Sequence, residues 1–489
     1  MAVLSNLKPY SVFKYFEAIC SVPHGSGNTK KVSDLCASFA KEMGLKYVQD
    51  DLNNLIIYKP ASKGMEEAET VILQGHLDMV CAKTADCTKD MSKEGLDLII
   101  DGDHIRAKDT SLGGDDGIAV AMILAILEDN DLVHPAIEAV FTVDEEVGMD
   151  GARGLDMSLL KGRKMLNLDS EEEGVFTVSC AGGLRMDCAI PCIKEKFDEK
   201  NAVYNVKIDG LIGGHSGCEI DKGRGNAIKL MSRLLYSASK ECPELRIADI
   251  SGGKFDNVIC NCCEARILIA DNNAQKFEDL VREFERTYKE EYAATDAGIR
   301  INAVHEITEK DNGAKTEAFG TEDSKRIINS LFLVPNGIAA MSGDIRDLVE
   351  TSSNIGVAAT DENGLKFTVS VRSSVNSRKY ALRDRIEAAV TGFGGSVEIR
   401  GEYPGWAYRK ESPVRDALSR IYEKQSGKKP VITAIHAGLE CGLFSEALPG
   451  LDCVSVGPEL TGIHSVDEKL GIASVGRLYD LVVEFLNEI

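Results

Sequence analysis

The chain has 489 residues, of which 44% are apolar and 27% are charged, and its formal net charge is −22. Its length predicts more than one domain, and its negative charge argues against nucleic acid or an anionic membrane as a partner. No secretion signal is recognisable in residues 1–10, apolar runs such as 119–127 are too short to cross a membrane, and fourteen cysteines without framework spacing indicate a reducing cytoplasm.

The first part of the chain has the pattern of an α/β domain. Apolar residues at helical spacing predict helices at 30–44 and 118–127, and short apolar runs predict strands at 71–75, 136–143 and 164–168. Each of these strands is followed by acidic or histidine residues. Open α/β sheets bind ligands outside the carboxyl ends of their strands, so we expect a site there.

The middle of the chain, about residues 201–402, has an α+β pattern that occurs twice. The first copy is predicted as strand, helix, two strands, helix and strand, at 203–208, 226–237, 245–250, 258–269, 275–292 and 299–305. The second copy is predicted as helix, two strands, helix and strand, at 322–332, 354–359, 365–371, 379–391 and 396–401. Two such copies predict a doubled inserted domain.

The α/β character returns after Tyr403–Trp406. Helices are predicted at 413–425 and 475–489, and strands at 431–435 and 453–456. The chain is therefore predicted to leave its first domain, build a second one and come back. We expect a discontinuous first domain of residues 1–186 and 403–489 and an inserted domain of residues 187–402.

His76 and Asp78 lie two residues apart at the end of a predicted strand. Alternation along a strand points both side chains to the same side. Asp78 can then support the His76 imidazole from behind if His76 binds a metal. For this pair alone, the alternative is a histidine and an aspartate that share a loop but do not interact.

Asp115 lies in the glycine-rich segment 109–117, a predicted turn that leads into a helix. Glycines let the backbone come close to an ion, and the two oxygens of Asp115 can bridge two metals. Asp116 could be the ligand instead, or both aspartates could simply cap the helix that follows.

Two more acidic segments follow predicted strands. Adjacent side chains leave the backbone in different directions, so one of Glu145 and Glu146 can bind a metal while the other faces the substrate as general base and acid. A surface acidic turn is the alternative. Asp169 ends the next strand, and the acidic run at 171–173 beside it is interpreted as a solvated face.

His464 is the best candidate for a ligand from the returning segment, because it follows a strand with a buried pattern. Four other histidines lack such a context and are interpreted as structural: His24, His104, His134 and His305. Together the candidates supply two imidazoles, three carboxylates and one spare carboxylate. Such a set suits a pair of Zn²⁺, Mn²⁺ or Co²⁺ ions, and paired metals most often serve hydrolysis.

Two further motifs lie in the inserted domain. Cys260 and Cys263 have the spacing of a redox or zinc motif, but they fall inside a predicted strand, on opposite faces, and are interpreted as structural. His215 lies in the glycine-lined segment 211–217. It is either an incidental histidine in a tight turn or a donor placed over the metals to stabilise an oxyanion.

As a set, these motifs resemble the M20 family of metallopeptidases, and most closely its aminoacyl-histidine dipeptidase branch. The resemblance covers essentially the whole chain. The segments that carry it are Gln74–Val80, Leu112–Gly117, Phe141–Gly148, Asn167–Glu172, Cys180–Gly183, Gly213–Gly217, Tyr403–Trp406 and Ile435–Gly442.

The resemblance implies an α/β catalytic domain with a mixed sheet and a di-metal site, plus an inserted α+β lid domain of two ferredoxin-like halves. It also implies a ligand set, in which His76 and Asp169 hold one metal, Glu146 and His464 hold the other, and Asp115 bridges them.

The resemblance further implies roles for the residues beside the metals. Asp78 would orient His76, and Glu145 would be the general base. One departure is visible, because Asp116 stands where the family pattern has asparagine. It adds a carboxylate beside Asp115, which bears on metal affinity but should not remove the site.

From the lid, the resemblance implies that three residues grip the carbonyl and the terminal carboxylate of the substrate: His215, Asn257 and Arg372. Arg372 would be the fork that binds the carboxylate, although a surface arginine fits the sequence nearly as well.

The activity that the resemblance implies is hydrolysis of dipeptides, both Xaa-His and other short unblocked peptides, with two divalent ions, Zn²⁺ ahead of Co²⁺ or Mn²⁺. The partner would be a small peptide, and neither nucleic acid nor a membrane. The protein would lie in the cytoplasm, and a homodimer remains possible. An N-acyl amino acid amidohydrolase on the same metals and a metal-binding protein without turnover remain alternatives. Glu145 argues against the latter, because binding metal alone does not require it.

Overall fold

The computed structural model describes residues 3–197, 201–306 and 316–489. The chain divides into two compact units. Unit 1 comprises Met1–Cys180, Trp406–Ala434 and Leu439–Ile489, and unit 2 comprises Ala181–Gly405 and Ile435–Gly438.

These limits differ from the predicted domain boundaries. The boundary predicted between residues 186 and 187 falls inside a strand, Gly182–Pro191, that belongs to unit 2. Residues 435–438, which were predicted in the first domain, also belong to unit 2.

Before the insertion, unit 1 contains the elements α1 (Tyr10–Cys20), α2 (Lys30–Glu42), β1 (Lys46–Gln49), β2 (Leu55–Lys59), β3 (Val71–His76), β4 (Leu98–Asp101), β5 (His104–Ala107), α3 (Gly114–Glu128), β6 (Ile137–Thr142), α4 (Asp150–Gly154), β7 (Lys164–Asn167) and β8 (Val175–Cys180).

Next along the chain are β9 (Gly182–Pro191), β10 (Lys194–Phe197), β11 (Asn201–Asp209), α5 (Ala227–Glu241), β12 (Arg246–Gly252), β13 (Cys263–Ala270), α6 (Ala274–Glu291), β14 (Arg300–Glu306), β15 (Thr316–Phe319), α7 (Thr321–Leu333), β16 (Gly337–Met341), β17 (Val349–Asp361), β18 (Gly364–Ser373), α8 (Asn376–Gly392) and β19 (Ser396–Tyr403). The returning segment contains α9 (Pro413–Ser426), β20 (Val431–Ile435), α10 (Cys441–Ala447), β21 (Asp452–Ser455), β22 (Leu460–Thr461), β23 (Lys469–Gly471) and α11 (Ile472–Glu488).

The main sheet of unit 1 is mixed and has the strand order β1-β2-β6-β3-β7-β21-β8-β20. Its four central strands, β6, β3, β7 and β21, run parallel to one another. The register pairs His76 with Thr142 and Gln74 with Asn167. The carboxyl ends of these strands therefore lie at one edge of the sheet, and the turns that follow them meet there.

Apolar burial explains why these elements form. Every residue of β3 and β6 is buried, as expected for central parallel strands covered on both faces. In α3, all residues from Asp116 to Leu127 are buried, and α1 packs against this helix. A helix that is apolar all round belongs in the interior.

A small second sheet joins the returning segment to the first part of the chain. Its strand order is β22-β23-β5-β4. Leu460 pairs with Leu470 in the β22–β23 hairpin, and Leu470 also pairs with Ile105 of β5. The turn of this hairpin, residues 462–468, carries His464.

Unit 2 contains one long sheet of two ferredoxin-like halves, with the order β14-β11-β13-β12-β17-β18-β9-β19 and with β16 paired to β17. The first half is β11-α5-β12-β13-α6-β14. The second is β9-α7-β17-β18-α8-β19, and its first strand precedes the whole of the first half in the chain. The halves join where β12 pairs with β17, at Ser251 with Ala359 and Gly252 with Ala358. The predicted fold class is confirmed.

The strand predicted at 258–269 is wrong in its first part, because β13 begins only at Cys263. Residues before it form other hydrogen bonds: Ile259 N–H donates to Gly214 O at 2.8 Å, and Ala227 N–H donates to Cys260 O at 2.7 Å. Cys260 therefore lies on a connecting segment rather than on a strand face. All fourteen cysteines are free.

Within the described ranges, no helix is both long and apolar enough to cross a membrane.

Candidate metal centre

His76 ends β3, and its ring faces carboxylates on both sides. The Nε2 atom lies 3.2 Å from Asp115 Oδ1 and 3.5 Å from Asp169 Oδ1. The Nδ1 atom lies 3.4 Å from Asp78 Oδ1 and 3.0 Å from the Asp78 carbonyl oxygen. Asp78 thus holds one edge of this buried ring, and the other edge is directed at two carboxylates.

Asp115 lies between two histidines. Its Oδ1 faces His76, and its Oδ2 lies 3.2 Å from His464 Nε2. The backbone departs from helical geometry at Asp115 and Asp116, at the N-terminal end of α3, so these residues lie on a turn. A carboxylate with one oxygen toward each of two imidazoles has the arrangement of a bridging ligand.

Glu146 and His464 form the other side of the cluster. His464 Nε2 lies 2.9 Å from Glu146 Oε1, and this oxygen is buried. His464 has a φ of 60°, a left-handed conformation that is uncommon for a residue other than glycine. The hairpin turn holds the residue in this conformation, and its ring lies beside Glu146 and Asp115.

The spacing of these atoms fits divalent ions. Two ligand atoms that are each about 2.0 Å from a tetrahedral ion lie about 3.3 Å apart, close to the distances above. In each of two groups of three residues, the candidate ligand atoms lie within 4.8 Å of one another. The groups are His76, Asp116 and Asp169, and His76, Asp115 and Glu146. Imidazole and carboxylate ligands without thiolate suit Zn²⁺, Mn²⁺ and Co²⁺ alike.

The cluster concentrates negative charge in a buried place, and its pKa values reflect this. Burial raises the pKa of Asp169 to about 7 and that of Glu145 well above its usual range. Hydrogen bonds with Asp115 and Glu146 raise the pKa of His464 to about 10. Without metal, protons on these groups offset the repulsion between carboxylates. Divalent ions supply the same charge, so metal binding should release protons.

Asp116 has a separate partner. Its Oδ2 accepts the backbone N–H of His76 at 3.1 Å, and the residue is 1% exposed. Burial and the neighbouring Asp169 raise the pKa of Asp116 well above its usual range, which favours the neutral carboxyl. A neutral carboxyl accepts this N–H as an asparagine carbonyl would, so the departure from the family pattern is accommodated.

Comparisons identify proteins similar to this chain. Residues 206–296 match the family described as a peptidase dimerisation domain. The chain is 36% identical over 489 residues to the cytosol non-specific dipeptidase of Escherichia coli K12, covering 100% of this chain and 99% of that protein. The crystal structure of aminoacylhistidine dipeptidase from Vibrio alginolyticus matches with a TM-score of 0.94 and 35% identity, covering 99% of this chain and 98% of that one. This chain belongs to the M20 metallopeptidase family.

Membership of the aminoacyl-histidine dipeptidase branch, which the sequence motifs indicate, is confirmed by these full-length matches. Aminopeptidase PepT from Bacillus cereus matches with a TM-score of 0.56 and 16% identity, covering 99% of both chains, and shares the fold alone.

Asp78 also holds the turn that carries the two glutamates of this M20 site. Its Oδ1 accepts the Glu145 N–H at 3.0 Å, and its Oδ2 accepts the Ser26 hydroxyl at 2.8 Å and the Glu146 N–H at 3.4 Å. One carboxylate therefore positions His76 at the end of β3 and the turn after β6 together.

A buried polar network lies behind the ligand turns, and sequence reasoning missed it. Asn167 donates to Gln74 Oε1 at 2.6 Å, while Gln74 Nε2 and the Thr142 hydroxyl donate to Glu440 Oε2 at 2.6 and 2.7 Å. These contacts join β3, β6 and β7 just before their turns. Glu440 lies in a motif that carries the family resemblance, but a single glutamate has no spacing that indicates such a role.

The predicted substrate residues of unit 2 lie near one another. A side chain added at Gly217 would meet His215 Cε1 at 3.0 Å and Arg372 Nε at 3.2 Å, so glycine permits their approach. The Asn257 carbonyl accepts the Ser216 N–H at 2.9 Å, which places Asn257 beside the same turn.

The hydrogen bonds of His215 define its protonation. Its Nδ1 accepts the backbone N–H of Gly217 at 3.3 Å and of Cys218 at 3.0 Å. Burial and the positive charge of Arg372 lower the pKa of His215, so the ring is neutral with its proton on Nε2. Arg372 Nη1 donates to the Tyr403 hydroxyl at 3.0 Å, and among the described residues its buried Nε has no hydrogen-bond partner. Arg372 therefore has an N–H donor that can bind a ligand.

We predict that Asp78→Asn weakens metal binding by about 10–100-fold, the usual effect of losing the partner of a metal-binding histidine. The asparagine side chain retains one acceptor oxygen, but it places an NH₂ group beside the N–H and hydroxyl donors that Asp78 accepts from. Isothermal titration of the metal-free protein measures the change. Asp452→Asn is the matched control, because Asp452 is also buried and accepts a hydroxyl and an N–H at the start of β21. Equal effects of the two substitutions would contradict the prediction.

We also predict a pH effect from Glu440, whose pKa burial raises from 4.5 to about 8. The folded protein binds this proton more tightly than the unfolded chain, so the contribution of Glu440 to stability is largest below about pH 4.5 and falls as pH rises toward 8. Glu440→Gln removes this dependence. Urea unfolding of metal-free protein should show the variant gaining stability relative to wild type between about pH 5 and 8. A difference that is constant with pH would contradict the assignment.

Proposed function

We propose that this protein is a metal-dependent dipeptidase that hydrolyses short unblocked peptides, including Xaa-His dipeptides. The observation that carries the proposal is the arrangement around Asp115, with one oxygen toward His76, the other toward His464, and a further half-buried carboxylate, Glu145, on the turn after β6. The names of the full-length relatives, a non-specific dipeptidase and an aminoacylhistidine dipeptidase, support the substrate class.

We assign His76 and Asp169 to one ion, Glu146 and His464 to the other, and Asp115 to both, with Zn²⁺ ahead of Co²⁺ and Mn²⁺. When bound, such ions polarise a carbonyl group and lower the pKa of the attacking water from about 15.7 toward 7. The chelating set is complete within unit 1, because all five residues come from that unit.

Glu145 is the proposed general base and acid. Burial raises its pKa, and the carboxylates of Asp169, Glu440 and Glu146 add to this effect. Glu145 would be ionised more readily with divalent ions held by the neighbouring ligands. Glu145 then takes a proton from the attacking water and returns it to the leaving amine. Such proton transfer contributes about 10²–10⁴-fold to a rate.

Unit 2 is proposed to supply the contacts that select the substrate. We assign the Nε2–H of His215 to the carbonyl oxygen that becomes an oxyanion, because a neutral donor stabilises developing negative charge. Asn257 is assigned to the same end of the substrate. Arg372 is assigned to the C-terminal carboxylate, which a guanidinium binds with two parallel hydrogen bonds.

We further infer a homodimer in the cytoplasm. The dimerisation-domain match at residues 206–296 supports the oligomer. Fourteen free cysteines and the name of the cytosolic relative support the compartment. Light scattering of the purified protein tests the oligomeric state.

We predict that Glu145→Gln lowers kcat for Gly-Leu by about 10²–10⁴-fold, since it removes proton transfer, while the number of bound metal ions stays the same. Turnover of Gly-Leu, β-Ala-His and N-acetyl-Gly-Leu by metal-free and by Zn²⁺-, Mn²⁺- and Co²⁺-loaded protein measures this. Glu172→Gln, in the exposed acidic run nearby, is the control and should retain full activity.

Two results would contradict the proposed function. Cleavage of N-acetyl-Gly-Leu alone would instead indicate an N-acyl amino acid amidohydrolase. Bound metal without turnover of any substrate in the panel would favour a metal-binding protein.

We predict that Arg372→Lys raises KM for free dipeptides about tenfold or more, because lysine keeps the charge but loses the planar fork. Gly-Leu amide, which has no terminal carboxylate, should show a much smaller change. Steady-state kinetics with both substrates measure the difference. Arg378→Lys is the control, because Arg378 is paired with Glu350 instead. Equal losses on Gly-Leu and its amide would refute the carboxylate role.

A further inference from the structure

Glu468 is a buried carboxylate, 3% exposed, that accepts hydrogen bonds from four consecutive backbone groups. Its Oε2 accepts the N–H of Leu112 at 2.8 Å and of Gly113 at 3.1 Å. Its Oε1 accepts the N–H of Gly114 at 2.8 Å and of Asp115 at 3.4 Å. The whole turn that presents Asp115 is therefore held by one side chain.

The glycines of this turn make the contact possible. A Cβ at Gly114 would lie 2.8 Å from Leu460 Cδ2 and 3.3 Å from Glu468 Oε1. Gly113 has a φ of 66°, a left-handed conformation that glycine adopts without strain. Gly113 and Gly114 thus allow the close approach of the Glu468 carboxylate, which lies 356 residues after Leu112 in the chain.

Glu468 also belongs to the turn that presents His464. This turn connects β22 to β23 and is braced internally, because the Ser465 hydroxyl donates to Gly462 O at 2.6 Å and Asp467 N–H donates to Ser465 Oγ at 3.2 Å. Glu468 directly precedes β23, which is fixed to β5 by backbone pairing. A shift of Glu468 would therefore move the His464 turn as well.

We propose that Glu468 is a positioning residue that fixes Asp115 and His464 relative to each other and so determines the affinity of the second metal, the one assigned to Glu146 and His464. The inference rests on the proposed metal centre. A purely stabilising role would satisfy the four N–H groups at this helix start, but it would not predict different effects on the affinities for the two metals. The positioning role does, because the second metal is assigned two ligands on the turns that Glu468 holds, Asp115 and His464, whereas the first is assigned only Asp115 from them.

Zn²⁺ titration of the full-length, metal-free protein in competition with a chromophoric chelator tests this. For Glu468→Gln we expect one of the two ions to bind about 10–100-fold more weakly, and the other, which shares only Asp115 with the held turns, to be weakened clearly less. Glu468→Asp, which keeps the charge on a shorter side chain, should recover part of the loss, and it replaces the glutamine variant if that variant does not fold.

Glu138→Gln is the matched control. Glu138 is also a buried carboxylate that accepts backbone N–H groups, from Lys161 and Gly162, but it lies near the start of β6, at the opposite end of the strand from the ligands. Both ions should bind to this variant as to wild type, even if its melting temperature falls.

Three results would overturn the inference. Unchanged affinity for both ions in Glu468→Gln, with only a lower melting temperature, would leave Glu468 a structural role alone. Equal weakening of both ions would contradict a role centred on the second. Failure of the wild-type protein to bind two ions would overturn the metal centre itself together with this inference, and the wild-type titration alone shows that outcome.

Discussion

The repulsion among buried carboxylates is the constraint on which the rest of unit 1 depends. Asp115, Asp169, Glu145 and Glu146 are close enough to affect one another's pKa values, and the first two also face His76. Burying ionised groups is costly unless opposite charge or hydrogen bonds compensate. The raised pKa values of several of these groups express that cost in the metal-free protein. A pair of divalent ions removes it, so metal binding and stability of this unit should be linked.

The topology explains how residues far apart in the chain reach this place. Parallel strands β3, β6 and β7 end at one edge of the sheet and bring their turns together without long connections. The returning segment adds β21 to the same parallel set and then the β22–β23 hairpin. An insertion as large as unit 2 does not disturb this arrangement, because the sheet of unit 1 contains strands from both sides of the insertion.

Much of this could be predicted from the sequence, and for a physical reason. Central parallel strands are buried on both faces, so β3, β6 and β7 are short apolar runs that stand out, and polar residues at their ends are conspicuous. The family resemblance then supplied the ligand set. The fold of unit 2 was predicted as two copies, but the first strand of the second copy was not found. That strand, β9, lies before the first copy, and apolar periodicity carries no information about which strands pair over such distances.

The residues that sequence reasoning missed share a property that explains the failure. Glu440 and Glu468 act through hydrogen bonds to groups on other segments, and neither forms a pattern with its own neighbours. The strand predicted at 258–269 failed for a related reason, since Ile259 and Cys260 bond to residues of the 214–227 region instead of a strand partner. Local patterns report local structure, whereas such contacts exist only once the fold has formed.

The structure divides the acidic residues around the site into two classes, and the division has a physical basis. Asp78 and Glu468 use both oxygens to accept hydrogen bonds from backbone or hydroxyl groups, so their lone pairs are largely occupied. Asp115 directs both oxygens at imidazoles, and Glu146 directs one at the His464 ring. Oxygens of the second kind can bind an ion in exchange for an imidazole proton, without giving up a backbone partner. The carboxylates of the first kind fix the backbone from which the proposed ligands extend, which would keep the loss of freedom on metal binding small.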